Sequence, residues 1–188
     1  MIKRGFTLIE LIITLAILGI ILIPISNFFF TNYKELNNVN RRLNLQYEGE
    51  KAVKKFTDVA IESKGIQEVK SGQTDLSNGI NADNVTRIVL MSTDDDGNYV
   101  YDIFELEDGN LWYGKGKKND TINKDGNLEQ NEVSGSVIAK YINSISLIGE
   151  NITKYEGMKH AYVVLIKLNL KDGNVTYSVK SKVYFRNK

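Results

Sequence analysis

The chain has 188 residues, of which 25% are charged and 42% are hydrophobic, and its formal net charge at pH 7 is +1. This balance gives no strongly basic surface, so the composition does not indicate a nucleic-acid partner. The sequence contains no cysteine, which excludes disulfide scaffolds, thiolate metal sites and cysteine nucleophiles.

The chain begins with a short cationic segment that precedes a long apolar run. Lys3 and Arg4 come directly before Gly5, and the 25 residues from Phe6 to Phe30 contain a single charged side chain, Glu10. About 20 apolar residues span a bilayer as a helix, and cations before them favour a cytoplasmic N-terminus and an exported C-terminal part. A secretory signal peptide has its cleavage site after the apolar region, whereas the processing signal here comes before it. A carboxylate inside a membrane helix usually marks function.

The order Lys3-Arg4-Gly5 followed by Phe6-Thr-Leu-Ile-Glu10 resembles the class III leader of type IV prepilins and type II secretion pseudopilins. The resemblance implies that a membrane prepilin peptidase cleaves between Gly5 and Phe6 and methylates the new amino terminus at Phe6. It also implies that Glu10, the fifth residue after cleavage, pairs with the N-terminal ammonium group of a neighbouring subunit during assembly. An ordinary signal anchor is the alternative, but an anchor would have no use for Glu10.

Pro24 is the only proline in the chain and lies inside the apolar run. Because proline removes a backbone donor and clashes with the preceding turn, we predict a helix kink near Ile20–Leu22. Many pilins have a helix-bending proline in this segment. A functional hinge and a tolerated membrane-helix proline are both open interpretations.

Helical periodicity continues beyond the membrane segment. Steps of three and four residues predict one apolar stripe, formed by Leu36, Val39, Leu43, Tyr47, Val53, Phe56 and Ala60. Gly49 interrupts this stripe and is expected to loosen it, and Gly65 is predicted as the helix cap. The predicted divisions are a cleaved leader (1–5), a transmembrane and assembly helix (6–30), an amphipathic continuation of the helix (31–64) and a head (65–188).

The pattern in the head is one of strands and turns. Residues 71–84 and 114–133 are predicted as polar loops, and strands are predicted over 85–91, 98–106, 111–115, 141–148, 161–170 and 175–185. Asp172-Gly173-Asn174 predicts a hairpin turn between the last two strands. The predicted fold class is therefore α+β. It corresponds to the pilin fold that the leader implies, in which one long N-terminal helix packs against an antiparallel β-sheet head.

Residues 119–132 approximate a calcium-binding EF-hand loop. Asn123, Asp125 and Glu132 are the candidate ligands and are in register with that loop, as is Gly126, but the first ligand position holds Thr121 rather than an aspartate. Pseudopilins sometimes bind calcium in their heads, so the resemblance adds to this hypothesis. The alternative, which we favour, is a plain turn at Asp125-Gly126. No other cofactor is expected.

Two segments of the head support a looser resemblance. Residues 99–113 look like the strand-turn-strand of J-type pseudopilins and W-type minor pilins, and residues 181–187 look like their final strand running into Arg-Asn. In that family the subunit belongs to a minor-pilin complex at the filament tip that primes assembly. The implied partners are other pilin or pseudopilin subunits, the prepilin peptidase, the inner-membrane assembly platform and, before assembly, membrane lipid.

An enzymatic activity is not expected from the sequence. No glycine-rich phosphate loop follows a predicted strand, and the single histidine, His160, has no visible nucleophile partner. The alternative function is a binding pilin, an adhesin or a DNA-uptake subunit, whose head carries the activity. The sequence shows no evident cluster of aromatic and basic residues on one sheet face, so nucleic acid is not an expected partner. The expected location is the cell membrane, with the head outside the cytoplasm, and then an extracellular filament.

Overall fold

The computed structural model describes residues 7–124, 129–150 and 157–185. The first element is one α-helix, α1, which runs from Leu8 to Glu62. Strands and a short 3-10 turn at Met158–His160 make up the regular structure that follows. The chain divides into two compact units, residues 1–41 and residues 42–188. This α+β architecture confirms the predicted fold class and is consistent with the pilin fold.

The C-terminal end of α1 differs from the predicted cap. The helix ends at Glu62, and the buried Ser63 donates its hydroxyl proton to the carbonyl oxygen of Ala60 at 3.0 Å. Gly65 has a φ of 132° and is the first residue of the following strand, so its predicted role as a helix cap was wrong. The side chain of Ser63, rather than a glycine, satisfies a carbonyl group in the last turn.

Eleven strands follow α1 in the described residues. They are β1 (Gly65–Ser71), β2 (Thr74–Asp75), β3 (Asn81–Ala82), β4 (Arg87–Thr93), β5 (Tyr99–Glu107), β6 (Asn110–Gly116), β7 (Thr121–Asn123), β8 (Glu132–Ala139), β9 (Ile142–Glu150), β10 (Val163–Asp172) and β11 (Val175–Tyr184). They form a seven-stranded sheet in the order β2-β1-β4-β5-β6-β8-β7 and a four-stranded sheet in the order β11-β10-β9-β3. The described pairings are antiparallel except for β7 with β8, which is parallel. A single sheet was predicted, and the division into two is a difference from that prediction.

The two predicted polar loops contain strands that the sequence pattern did not indicate. β2 and β3 lie within residues 71–84, and β7 and the start of β8 lie within residues 114–133. β8 reads Glu132-Val-Ser-Gly-Ser-Val-Ile-Ala139, with a glycine and two serines at its centre. Gly135 weakens the strand preference at the centre of β8, whereas Val133, Val137 and Ile138 favour a strand, and pairing with β6 extends across the glycine.

The main core lies between the C-terminal part of α1 and the two sheets. Phe56 of α1 is 2% exposed, and its ring centroid lies 5.1 Å from that of Phe104 in β5. Leu147, Ile166 and Leu168 contribute from the four-stranded sheet to the same buried cluster. Burial of this apolar surface is the largest favourable term in the stability of the second unit.

A second, smaller cluster covers the other face of the seven-stranded sheet. Ile122 of β7 is buried there with Val89 and Ile103. Ile122 and Val133 fill a hollow left by three glycines: Gly114, Gly116 and Gly135. An added Cβ atom would lie 2.2 Å from Val133 at Gly116 and 2.2 Å from Ile122 at Gly135. We call this feature the glycine hollow. Through it, β7 and the start of β8 contact the sheet; both belong to the polar loop predicted over residues 114–133, which we call the polar insertion.

Candidate functional site: the assembly helix

The first unit exposes a long apolar surface. Every described residue of this unit, from Thr7 to Arg41, is exposed, including Leu8 at 77% and Phe29 at 69%. The most apolar 18-residue window of α1 has a mean hydropathy of 2.8, so α1 is long and apolar enough to cross a membrane once. A contiguous apolar surface of this size marks contact with lipid or with other proteins.

Glu10 closes a capping box at the start of α1. The backbone N–H and the hydroxyl group of Thr7 donate to one carboxylate oxygen of Glu10, at 2.9 Å and 2.8 Å. The N–H of Glu10 donates in return to the Thr7 hydroxyl oxygen at 3.4 Å. This is the reciprocal arrangement of Ser or Thr at the cap position with Glu three residues later. Thr7 was not among the predicted site residues, although the order Thr-x-x-Glu before an apolar run is a recognisable signal of a helix start.

The structure continues α1 through Pro24 without a break. The proline nitrogen has no hydrogen to donate to the carbonyl group of Ile20, four residues before it. The kink predicted near Ile20–Leu22 stays a prediction. Cleavage and methylation at Gly5 and Phe6 also stay predictions, because those two residues lie outside the described residues.

The predicted apolar stripe divides into two faces of α1. Phe56 and Ala60 are buried as expected, but Leu43 and Tyr47 are 58% and 63% exposed. Leu36 and Val39, in the first unit, are also exposed. The helix buries a different set of residues against the sheets: Leu45, Gly49, Ala52, Phe56, Val59 and Ala60. Two residues correspond to about 200° around a helix, so Leu43 and Leu45 lie on opposite sides of α1.

Gly49 is a point of close approach rather than a loosened position. An added Cβ atom would lie 3.1 Å from methyl carbons of both Leu170 in β10 and Val179 in β11. The glycine therefore lets the helix axis come close to the four-stranded sheet. The expectation that Gly49 loosens α1 was wrong, because the residue is buried at a packed contact.

The side chain of Arg87 ties the polar insertion to the sheet. Its Nε donates to Glu68 at 2.9 Å, and one of its terminal nitrogens pairs with Glu105. Its other terminal nitrogen donates to the carbonyl oxygens of Asp120 at 2.8 Å and Lys118 at 3.2 Å. The guanidinium group is therefore shared between the sheet and the turn that leads to β7. We call these contacts the Arg87 clamp.

A buried carboxylate lies on the inner face of β5. Asp102 is 2% exposed and accepts hydrogen bonds from the hydroxyl groups of Tyr113 at 2.7 Å and Ser92 at 2.9 Å. Burial, followed by the hydrogen bond to Asp102, raises the pKa of Tyr113 above its ordinary value. Lys55 of α1 lies over the ring of Tyr113, 4.0 Å from the centroid. Lys55, Tyr113 and Asp102 therefore connect α1 to β6 and β5 by polar contacts.

The candidate calcium ligands are only partly among the described residues. The amide nitrogen of Asn123 donates to the Glu132 carboxylate at 2.6 Å, and the N–H of Glu129 donates to the same oxygen at 3.0 Å. The Glu129 N–H, and then the Asn123 amide, lower the pKa of Glu132. Asp125 lies outside the described residues. The segment is flanked by the parallel strands β7 and β8, whereas helices flank an EF-hand loop. Within the described part of the chain, no group of three or more acidic, histidine or cysteine side chains is arranged to hold a metal.

The comparisons with known proteins identify the N-terminal segment. Residues 1–26 match the family model described as the prokaryotic N-terminal methylation motif. Searches of curated proteins and of solved structures give no match. The matched segment contains Gly5, Phe6, Glu10 and Pro24, together with the capping box at Thr7. This chain therefore begins with a prepilin-type leader and methylation motif, as type IV pilins and pseudopilins do.

Proposed function

We propose that this chain is a minor subunit of a type IV pilus or of a type II secretion-like filament, in the complex at the tip that initiates assembly. The observation that carries the proposal is the exposed apolar surface of α1 with Glu10 as its single charge from Leu8 to Phe30. Lipid covers this surface before assembly, and the helices of neighbouring subunits cover it in the filament. The cations Lys3 and Arg4 keep the N-terminus cytoplasmic, which puts the head outside.

The capping box gives Glu10 a partner before assembly. In the isolated subunit its carboxylate accepts two hydrogen bonds from Thr7. In the filament, the free ammonium group that cleavage creates on a neighbouring subunit supplies the opposite charge. A buried carboxylate is strongly unfavourable without a hydrogen-bonded partner. The replacement of Thr7 by the neighbouring ammonium group as the partner of Glu10 therefore favours ordered addition of subunits.

Processing is tested first, by mass spectrometry of the N-terminal peptide from the native host. We expect a peptide that begins with methylated Phe6. An intact Met1 in assembled protein would rule out the proposed filament role. The proposed peptidase and assembly-platform partners depend on the same result.

Two variants separate the charge of Glu10 from its capping role. Glu10→Gln keeps a side chain that can complete the capping box but removes the charge, whereas Thr7→Ala keeps the charge and removes the cap hydroxyl. We expect both variants to insert into the membrane. Glu10→Gln should be lost from sheared filaments, and Thr7→Ala should be incorporated at a reduced level. Wild-type levels of Glu10→Gln in filaments would show that the pairing does not drive assembly.

The minor status rests on the large head and on the resemblance of residues 99–113 to minor subunits. Quantitative mass spectrometry of purified filaments tests it directly. We expect this chain in substoichiometric amounts, alongside other minor subunits. If it is instead the dominant protein of the filament, the minor assignment is wrong while the filament role stands.

A further inference from the structure

A cleft of about 630 Å³ lies where three connections of the head meet. The lining includes Asp108 and Asn110 from the β5–β6 hairpin, Lys140, Tyr141 and Asn143 around the start of β9, and Lys171 near the end of β10. Two ammonium groups and one carboxylate give this lining a net positive charge. Among the described residues, neither Lys140 nor Lys171 has a carboxylate within salt-bridge distance.

The backbone at the cleft is held in an unfavourable conformation. Tyr141 has a φ of 63°, in the left-handed region, and its side chain is 40% exposed. For a bulky residue this conformation is a true outlier, and such strain concentrates at functional sites and ligand clamps. Tyr141 belongs to neither of the two buried apolar clusters.

Three hydrogen bonds fix this conformation. The N–H of Lys140 donates to the Glu48 carboxylate of α1 at 2.8 Å. The N–H of Lys171 donates to the Tyr141 carbonyl oxygen at 2.9 Å, and the N–H of Ile142 donates to the Gly109 carbonyl oxygen at 2.9 Å. The Tyr141 backbone is therefore held from α1, from the β5–β6 turn and from β10.

A β-bulge follows immediately in β9. Asn169 of β10 pairs with Ser144 and Leu170 pairs with Ile142, so Asn143 is the extra residue. Bulges re-aim a side chain and are over-represented next to active sites. Tyr141 and Asn143, the two irregular residues of this segment, both line the cleft.

The cleft continues into a second depression of about 340 Å³, which shares Asn143 and Lys171 with it. The amide group of Asn169 and the hydroxyl groups of Thr176 and Ser178 line this part. The Asn169 amide nitrogen donates to the Ser144 hydroxyl oxygen and its amide oxygen accepts from the Ser178 hydroxyl, both at 2.9 Å, so these contacts hold the amide in place and use part of its bonding capacity. Neutral donors and acceptors of this kind match sugar hydroxyl groups. A nucleic-acid backbone would instead need cations along its whole length.

We propose that the cleft binds an anionic saccharide, with Lys140 and Lys171 holding its carboxylate or phosphate group and Tyr141 and Asn143 contacting the sugar. The second depression accepts the next sugar unit of the chain. This role goes beyond filament assembly and does not depend on it.

The test uses the full-length chain in lauryldimethylamine-oxide micelles, which contain neither sugar nor phosphate. Saturation-transfer NMR titrations compare trigalacturonic acid, glucose 6-phosphate and the neutral trisaccharide maltotriose. We expect at least one anionic probe to bind about tenfold more tightly than maltotriose. Preference for trigalacturonic acid identifies a carboxylate ligand, and preference for glucose 6-phosphate identifies a phosphate ligand.

The double variant Lys140→Gln, Lys171→Gln should abolish the preference for the anionic probe over maltotriose. Lys180→Gln, an exposed charge on β11 outside both depressions, is the matched control and should bind as the wild type does. Tyr141→Gly should lose binding without a fall in melting temperature, because glycine adopts a φ of 63° without strain.

Four results would overturn the proposal. They are no binding of either anionic probe, equal binding of maltotriose, unchanged binding in the double lysine variant, and displacement of the sugar by a thymidine oligonucleotide that binds more tightly. The last result would assign the cleft to nucleic acid.

Discussion

Leu43 and Leu45 offer a matched pair of substitutions on the two sides of α1. Leu45 is fully buried against the sheets, whereas Leu43 is 58% exposed. Both residues lie in the second unit, and each fits a three- and four-residue apolar pattern. We expect Leu45→Ala to destabilise the head and Leu43→Ala to leave its stability unchanged. Leu43→Ala should instead lower incorporation into filaments, because the exposed face is available for contact with neighbouring helices.

The magnitude for Leu45→Ala follows from its complete burial. Removing three methylene-sized groups loses about 2.4 kcal/mol of transfer free energy, at about 0.8 kcal/mol each. A residual cavity of roughly 60 Å³ adds about 1.4 kcal/mol, at about 24 cal/mol per Å³. The sum is a loss of about 4 kcal/mol in the free energy of unfolding. For a unit of about 150 residues the unfolding entropy is about 0.3 kcal/mol/K, so the melting temperature should fall by about 12 °C. For Leu43→Ala the change in unfolding free energy should stay within about 0.5 kcal/mol.

Trp112, the only tryptophan, lies in β6 and reports on the head alone. Thermal melting of the full-length variants in micelles, followed by tryptophan fluorescence, therefore measures the predicted difference. If Leu43→Ala lowers the melting temperature as much as Leu45→Ala, the division of α1 into a core face and an exposed face is wrong.

Replacing Arg87 with alanine removes the donor to the Asp120 and Lys118 carbonyl oxygens, while Glu68 keeps Lys70 and Glu105 keeps Lys124 as partners. The Arg87 clamp should therefore fail at a cost of about 1–3 kcal/mol, seen as faster hydrogen exchange over residues 117–124. Unchanged exchange there would show that the clamp does not hold the insertion. The folded state raises the pKa of Tyr113 above its ordinary value of 10.0. The neutral hydroxyl group of Tyr113 therefore stabilises the fold fully below pH 10, and this stabilisation is lost as the pH rises further. Tyr113→Phe should flatten this alkaline decline in melting temperature, and an equal decline in the variant would contradict the assignment. Millimolar calcium should leave the melting temperature unchanged, since the Glu132 carboxylate already accepts two hydrogen bonds. A clear rise in the melting temperature with calcium would favour the metal site at Asn123, Asp125 and Glu132.

The long helix and the hairpins could be predicted because their signals are local. The apolar run and its continuation specify α1, and Asp172-Gly173-Asn174 connects β10 and β11 as expected. The match of residues 1–26 to the methylation motif confirms the prepilin-type leader. These features depend on residues that lie close together in sequence.

The face of α1 that packs in the head could not be predicted in the same way. Small residues such as Gly49 and Ala52 carry little hydrophobic signal, yet they are buried because the helix approaches the sheets closely there. The exposed residues Leu43 and Tyr47 carry a stronger signal and were assigned to the stripe. A filament subunit has two apolar faces, and periodicity alone does not distinguish the core from an assembly surface.

The cleft and the Arg87 clamp were missed for a different reason. Tyr141 has no sequence signal for a positive φ, since the conformation is imposed by hydrogen bonds from distant segments. Arg87 appears in sequence as one charged residue before an apolar run, and its partners come from three other parts of the chain. Tertiary contacts alone bring these groups together.

The glycine hollow has a consequence for how the head can be altered. Ile122 and Val133 lie on either side of the connection between β7 and β8 and pack on Gly114, Gly116 and Gly135, so apolar contacts fix the chain on both sides of this connection. Doubling the length of a flexible loop adds only about 0.6 kcal/mol of closure entropy. We therefore expect the head to fold with an epitope or a reporter peptide inserted between Asn123 and Glu132. This position would allow the subunit to be labelled on living cells.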